Sequence, residues 1–149
     1  MAQKGIFRRR PGFTLIETAF VLALAGGILC LGAGSLLSLV PKYRLESAVW
    51  EVRSTLNRAR WQALHEGVSF RVRFLASGVT TERYDPESES WVLYRRRAID
   101  GVRVSANNSP IFTALGAVTG LATITASNSW GVYKLTLAIT GRVKTARIP

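Results

Sequence analysis

The sequence predicts an α+β fold: a long N-terminal helix crosses a membrane, continues as an amphipathic helix and packs on antiparallel β-sheet. Three features carry that prediction. No residue from Thr18 to Pro41 is charged, while Arg8, Arg9 and Arg10 precede the run and Lys42 and Arg44 close it. From Tyr43 to Glu66 the apolar residues recur at steps of three and four, and after Gly67 the period changes to two.

The uncharged run would span about 36 Å as a helix at roughly 1.5 Å per residue. That suffices for a hydrocarbon core of about 30 Å with some tilt. Helix is the geometry that satisfies its own backbone there, because an open strand would leave polar groups unpaired in lipid. The cations ahead of the run place the N-terminus in the cytoplasm and everything after Lys42 outside. A cleaved secretory signal is the competing interpretation, but the run is long and no small-x-small site follows it. Gly26, Gly27, Gly32 and Gly34 leave small surfaces for close helix contact. Pro41 is expected to bend the helix as it leaves the bilayer.

Glu17 is the odd residue. A carboxylate at mid-bilayer would cost on the order of 2.5–3.5 kcal/mol, and Glu17 sits at the lip. One reading is local: Thr14-x-x-Glu17 is a capping box, with the acid near the positive helix end. The other reading comes from its surroundings. A basic leader, Gly12, then Phe13-Thr14-Leu15-Ile16-Glu17 and a long apolar helix resembles the class III signal of type IV pilins and type II secretion pseudopilins.

That resemblance implies a type IV pilin-like fold and a defined processing step. A membrane-embedded aspartyl prepilin peptidase would cut between Gly12 and Phe13 and methylate the new amino terminus at Phe13. Glu17 would then pair with the amino terminus of a neighbouring subunit during filament assembly. The chain divides accordingly into a leader (1–12), a transmembrane helix (13–41) and an extracytoplasmic domain (42–149) with a helix at 43–66 and a β-rich part at 68–149. Electrostatics agree, since a low-dielectric interior makes such an ion pair strong and an unpaired partner costly.

In the amphipathic stretch Leu45, Ala48, Val49, Val52, Leu56, Ala59 and Ala63 form one apolar face. Gly67 is a natural C-cap. Trp50 and Trp61 are expected at the edge of the core or facing a neighbour. His65 lies in the last turn, where a cation suits the helix dipole. Beyond Gly67, Val68, Phe70, Val72 and Phe74 alternate with Ser69, Arg71 and Arg73, the pattern of a half-buried strand. A turn at Ser77-Gly78 leads to a strand from Val79 to Tyr84, a polar loop over 85–90 and a strand from Trp91 to Tyr94, with Arg95-Arg96-Arg97 at its end. A short strand starts at Gly101, and Asn107-Asn108-Ser109-Pro110 is a turn. Strand candidates in the last forty or so residues are 111–113, 122–126, 132–139 and 143–148, separated by 116–120, 128–131 and 140–141, and they read as one antiparallel set.

This C-terminal part also resembles the GspH/FimT pseudopilin domain. The family's F-x-x-x-G appears as Phe112 to Gly116 and its terminal Gly-Arg as Gly141-Arg142. In FimT-type minor pilins a Gly-Arg-x-Arg tail contacts DNA, which makes Arg142, Lys144 and Arg147 candidate DNA contacts here. Lys144 stands where that pattern has arginine, and a lysine cannot fork onto a phosphate.

Composition bounds the remaining choices. The chain has 149 residues and a formal charge of +11. Lys4, Arg8, Arg9 and Arg10 supply four of those charges, so the chain after residue 12 is near +7. The residues beyond Pro41 suffice for one modest core. Cys30 is the sole cysteine and lies in the apolar run, so the outer domain forms no internal disulfide. No phosphate loop, Cys/His metal cluster or nucleophile elbow is present, which argues against an enzyme and calls for no cofactor or metal. Asp85, Glu87 and Glu89 read as a solvated acidic turn rather than a calcium loop. Two functions remain open. One is a minor pseudopilin of the type II secretion pseudopilus, with other pilins, the peptidase and inner-membrane lipid as partners. The other is a FimT-like minor type IV pilin that binds DNA for natural transformation. Both place the chain in the bacterial inner membrane, with its C-terminal domain in the periplasm, and then in a filament.

Overall fold

The computed structural model describes residues 14–76 and 78–148, and of 30–36 the backbone alone. The expected cleavage point at Gly12 and Phe13 lies outside the described residues, as do Ser77 and the side chain of Cys30. One helix, α1, runs from Leu15 to Glu66. The chain divides between Ser38 and Leu39 into two compact units.

The first unit holds the start of α1. Thr14 caps it: the Glu17 amide donates to the Thr14 hydroxyl at 3.4 Å and to its carbonyl at 3.1 Å. That is the Thr14 half of the expected capping box. Among the described residues no helix is long and apolar enough to cross a membrane. The expected span falls partly outside that description, since the side chains of 30–36 lie in its middle.

In the second unit α1 runs through Pro41 and ends at Glu66, where Gly67 takes φ +68° and donates to the Ala63 carbonyl. Its inner face is made of the seven residues whose spacing marked them, Leu45, Ala48, Val49, Val52, Leu56, Ala59 and Ala63, and all are buried. The small alanines let the sheets approach the helix closely, while Leu45, Val52 and Leu56 fill the space between them.

Against that face lie two antiparallel sheets. Strands β1 (Phe70–Leu75), β2 (Gly78–Asp85), β3 (Ser90–Ala98), β5 (Ile111–Phe112) and β6 (Val118–Thr119) form a sheet in the order β3-β2-β1-β5-β6. Strands β4 (Arg103–Ala106), β7 (Thr123–Asn128), β8 (Gly131–Leu137) and β9 (Val143–Ile148) form a second sheet in that order. Phe70, Val72, Val79 and Phe112 from the first sheet and Ile124, Leu135 and Leu137 from the second complete the core. One backbone bond links the two sheets, from Val118 of β6 to the Ile139 carbonyl after β8, and another from Leu137 to the Ala122 carbonyl extends the β7–β8 pairing.

Three local expectations change. Arg95, Arg96 and Arg97 lie inside β3, paired with Thr81, Thr80 and Val79, rather than after its end. β3 is an edge strand, so three guanidinium side chains can stay wet there while the backbone still pairs. The 116–120 segment contains β6, a two-residue strand too short to show a period. Ile111–Phe112 lies between β1 and β6 in the first sheet, apart from the strands of 123–148; Pro110 just before it is fully buried and its carbonyl accepts from Val72.

Candidate functional site

The second unit of α1 has two faces of opposite character. At about 100° per residue, Tyr43, Trp50 and Trp61 fall within roughly 20° of one another, opposite the buried stripe. They are 62%, 67% and 62% exposed. Arg53, Ser54, Asn57 and Arg58 lie with Trp50 and Trp61 around one shallow groove. The His65 ring stacks on Trp61 at 4.9 Å between centroids, which fixes the indole against the helix. Large aromatic area held in place and left uncovered is the kind of surface that a partner buries.

The sides of α1 are clamped to the first sheet by polar contacts. Arg97 pairs with Glu51 at 3.5 Å, and Arg83 pairs with Glu66 at 2.9 Å. Gln62 donates to the Tyr94 hydroxyl at 2.8 Å, and Tyr94 meets buried Phe70 edge-on. Away from the helix, Glu82 holds Arg71 and Arg73, and Arg71 stacks over Trp91. Arg71, Arg73, Arg83 and Arg97 are therefore each paired with a carboxylate.

The two C-terminal sequence motifs converge on one helix residue. Arg60 donates to the Gly116 carbonyl at 3.2 Å. Gly141 takes φ +79°, and a Cβ there would stand 2.7 Å from Arg60 Cδ. Gly116 takes φ +76° and lies against Leu64. Phe112-to-Gly116 and Gly141-Arg142 thus mark the places where two turns press on α1 around Arg60, a position the sequence reading did not single out.

The candidate DNA contacts are divided by the pleat. Arg142 and Lys144 line one surface with Thr136 and Val143. Arg147 lies opposite Tyr133 in the register, and its guanidinium covers the Trp130 ring at 4.0 Å. Lys144 and Arg147 are three residues apart on a strand of period two, so they face opposite sides of the sheet. The structure brings Arg142 and Lys144 together and sends Arg147 to a different contact.

Among the described residues no group of His, Cys, Asp and Glu could hold a metal ion. The acidic turn is organised by its own hydrogen bonds. Asp85 accepts from the Ser88 hydroxyl at 2.6 Å and from the Glu87 amide at 3.4 Å. The Ser88 hydrogen bond leads in holding the Asp85 carboxyl below an ordinary aspartate value. Desolvation opposes it, and the Glu87 and Ser88 amides and Arg83 add to it.

No protein-family profile matches the chain, and neither does any curated relative. Solved structures do match its fold. The minor pseudopilin EpsH from the Type 2 Secretion System of Vibrio cholerae aligns with a TM-score of 0.60 at 12% identity, over 70% of this chain and 97% of that one. A crystal structure of the same protein gives 0.61 at 12% identity, over 72% and 97%. The Pseudomonas aeruginosa type IV minor pilin FimU gives 0.57 at 18% identity, over 70% and 90%. The fold of this chain is the GspH/FimT-like fold of minor pseudopilins and minor pilins.

Proposed function

We propose that this chain is a non-enzymatic minor pseudopilin, a subunit of the type II secretion pseudopilus that contributes to protein export across the outer membrane. The observation that carries the reading is the likeness in fold of 70% of this chain to a minor pseudopilin, over 97% of that solved chain. The sequence supplies the rest. Gly12 and Phe13 flank the peptidase cut, Phe13 carries the N-methyl group, and the run to Pro41 anchors the subunit in the inner membrane. Other pilin-like subunits are its filament partners.

Glu17 draws the subunit from lipid into the filament. Its carboxylate, one turn into α1 and exposed, meets the new amino terminus of a neighbour, and the pair is strong where the dielectric is low. Glu17→Ala is therefore expected to be cut normally yet to enter the filament at least tenfold less, measured by quantitative mass spectrometry of sheared filaments. Unchanged incorporation rejects the role.

DNA binding through the tail is the second reading. Arg142 and Lys144 side by side favour it, and the engagement of Arg147 with Trp130 weakens it. It requires duplex affinity that falls with salt at a logarithmic slope near −0.9 per neutralised phosphate.

A further inference from the structure

We infer that the cleft beside the first turn of α1 in the second unit binds a phosphate group, and that an anionic phospholipid headgroup supplies it. The cleft encloses about 420 Å³ between Pro41 and Arg44 of the helix, Gly101 and Arg103 before and in β4, and the β7–β8 turn at 127–129. Arg44 and Arg103 line it together with Ser127 and Ser129, two cationic and two hydroxyl-bearing residues. No carboxylate lines it, and neither guanidinium is in an ion pair among the described residues. Asp100 lies next door, lining the adjacent cleft with Arg44.

The walls are fixed. Arg103 and Ser127 are direct cross-strand neighbours in the β4–β7 register, which puts their side chains on one face. Arg44 lies along Gly101 so closely that a Cβ there would stand 3.1 Å from its terminal nitrogen. Asn128 ties the turn to the helix, donating to the Pro41 carbonyl at 2.6 Å while its own carbonyl accepts from the Trp130 amide at 2.9 Å. Trp130, next in sequence to Ser129, has Lys42 at 5.7 Å and Arg147 at 4.0 Å from its ring.

Forked guanidinium donors with hydroxyls between them suit the several oxygens of a phosphate. Free phosphate offers the same chemistry, so the choice of source comes from position and rests on the membrane-anchored reading above. Lys42 and Arg44 are the first charged residues after the apolar run. When that run spans the bilayer, they stand at the headgroup layer, where anionic lipid attracts clustered cations.

The test uses the full chain in a non-ionic detergent at constant ionic strength, observed by amide NMR at Gly101, Ser127 and Ser129. The probes are dihexanoyl phosphatidylglycerol, dihexanoyl phosphatidylcholine, inorganic phosphate and a short DNA duplex. Saturable shifts with phosphatidylglycerol, at least tenfold weaker with phosphatidylcholine and in Arg103→Gln, are expected. Inorganic phosphate should compete at higher concentration. Shifts with phosphate but not phosphatidylglycerol overturn the lipid source, and tighter binding of the duplex than of the lipid overturns it in favour of nucleic acid. No response to any probe, or an unchanged response in Arg103→Gln, overturns the site. Ser129→Ala gives the same discrimination from an exposed position should Arg103→Gln fail to fold. Filament incorporation of Glu17→Ala is read separately, so failure of this site and failure of the assembly role remain distinguishable.

Discussion

The inner and outer faces of α1 between Tyr43 and Glu66 show how one helix divides its work. The inner face uses Ala, Val and Leu and is buried by this chain's own sheets. The outer face carries Tyr43, Trp50 and Trp61, larger apolar groups than any on the inner face, and leaves them about two-thirds exposed. Burying a tryptophan side chain is worth more than burying an alanine, because the gain scales with area at about 25 cal/mol per Å². Folding of this chain takes only about a third of that gain at Trp50 and Trp61. Buried packing is concentrated on one side of the helix, and the uncovered aromatic area lies on the other.

Substitutions on the two faces should therefore separate stability from assembly. Leu56→Ala removes a fully buried side chain and is expected to lower unfolding free energy by about 2–5 kcal/mol, measured by denaturant titration of the whole chain. Trp50→Ala with Trp61→Ala should change stability by only about 0.5 kcal/mol per site. The same pair should reduce incorporation into filaments at least tenfold, a loss of roughly 1.4 kcal/mol. A large stability loss from the tryptophan pair with normal incorporation would erase the distinction between the faces.

The acidic turn over 85–90 is the solvent-only control for this comparison. Its hydrogen bonds close on themselves, and the carboxyl of Asp85 is held below the ordinary aspartate value first by Ser88. A depressed carboxyl contributes stability that is present above the unfolded pKa and is lost as pH falls through the folded value. Ser88→Ala should raise the Asp85 midpoint toward that of a free aspartate in an NMR titration, with no effect on incorporation. A midpoint unmoved by Ser88→Ala would show that another group sets it.

The parts of this architecture legible in the sequence are those with a period. Seven residues spaced by three and four were enough to find the inner face, and alternation found most of β1, while β9 was found with both its ends. β6 and the placement of β5 depend on pairing with distant segments, which no local pattern reports. The arginine run in β3 reads as a terminus because three like charges resemble a solvated end, yet an edge strand tolerates them. The candidate tail was read as one patch, although a three-residue step on a strand already implies opposite faces for Lys144 and Arg147. Arg60 stayed hidden because its importance lies in two glycine turns that meet only in three dimensions.

The most direct test of the account is the mass of the chain's N-terminal peptide after expression with an active prepilin peptidase. The account predicts a peptide that begins at Phe13 and carries an N-methyl group. A chain recovered from membranes still beginning at Met1 would contradict it.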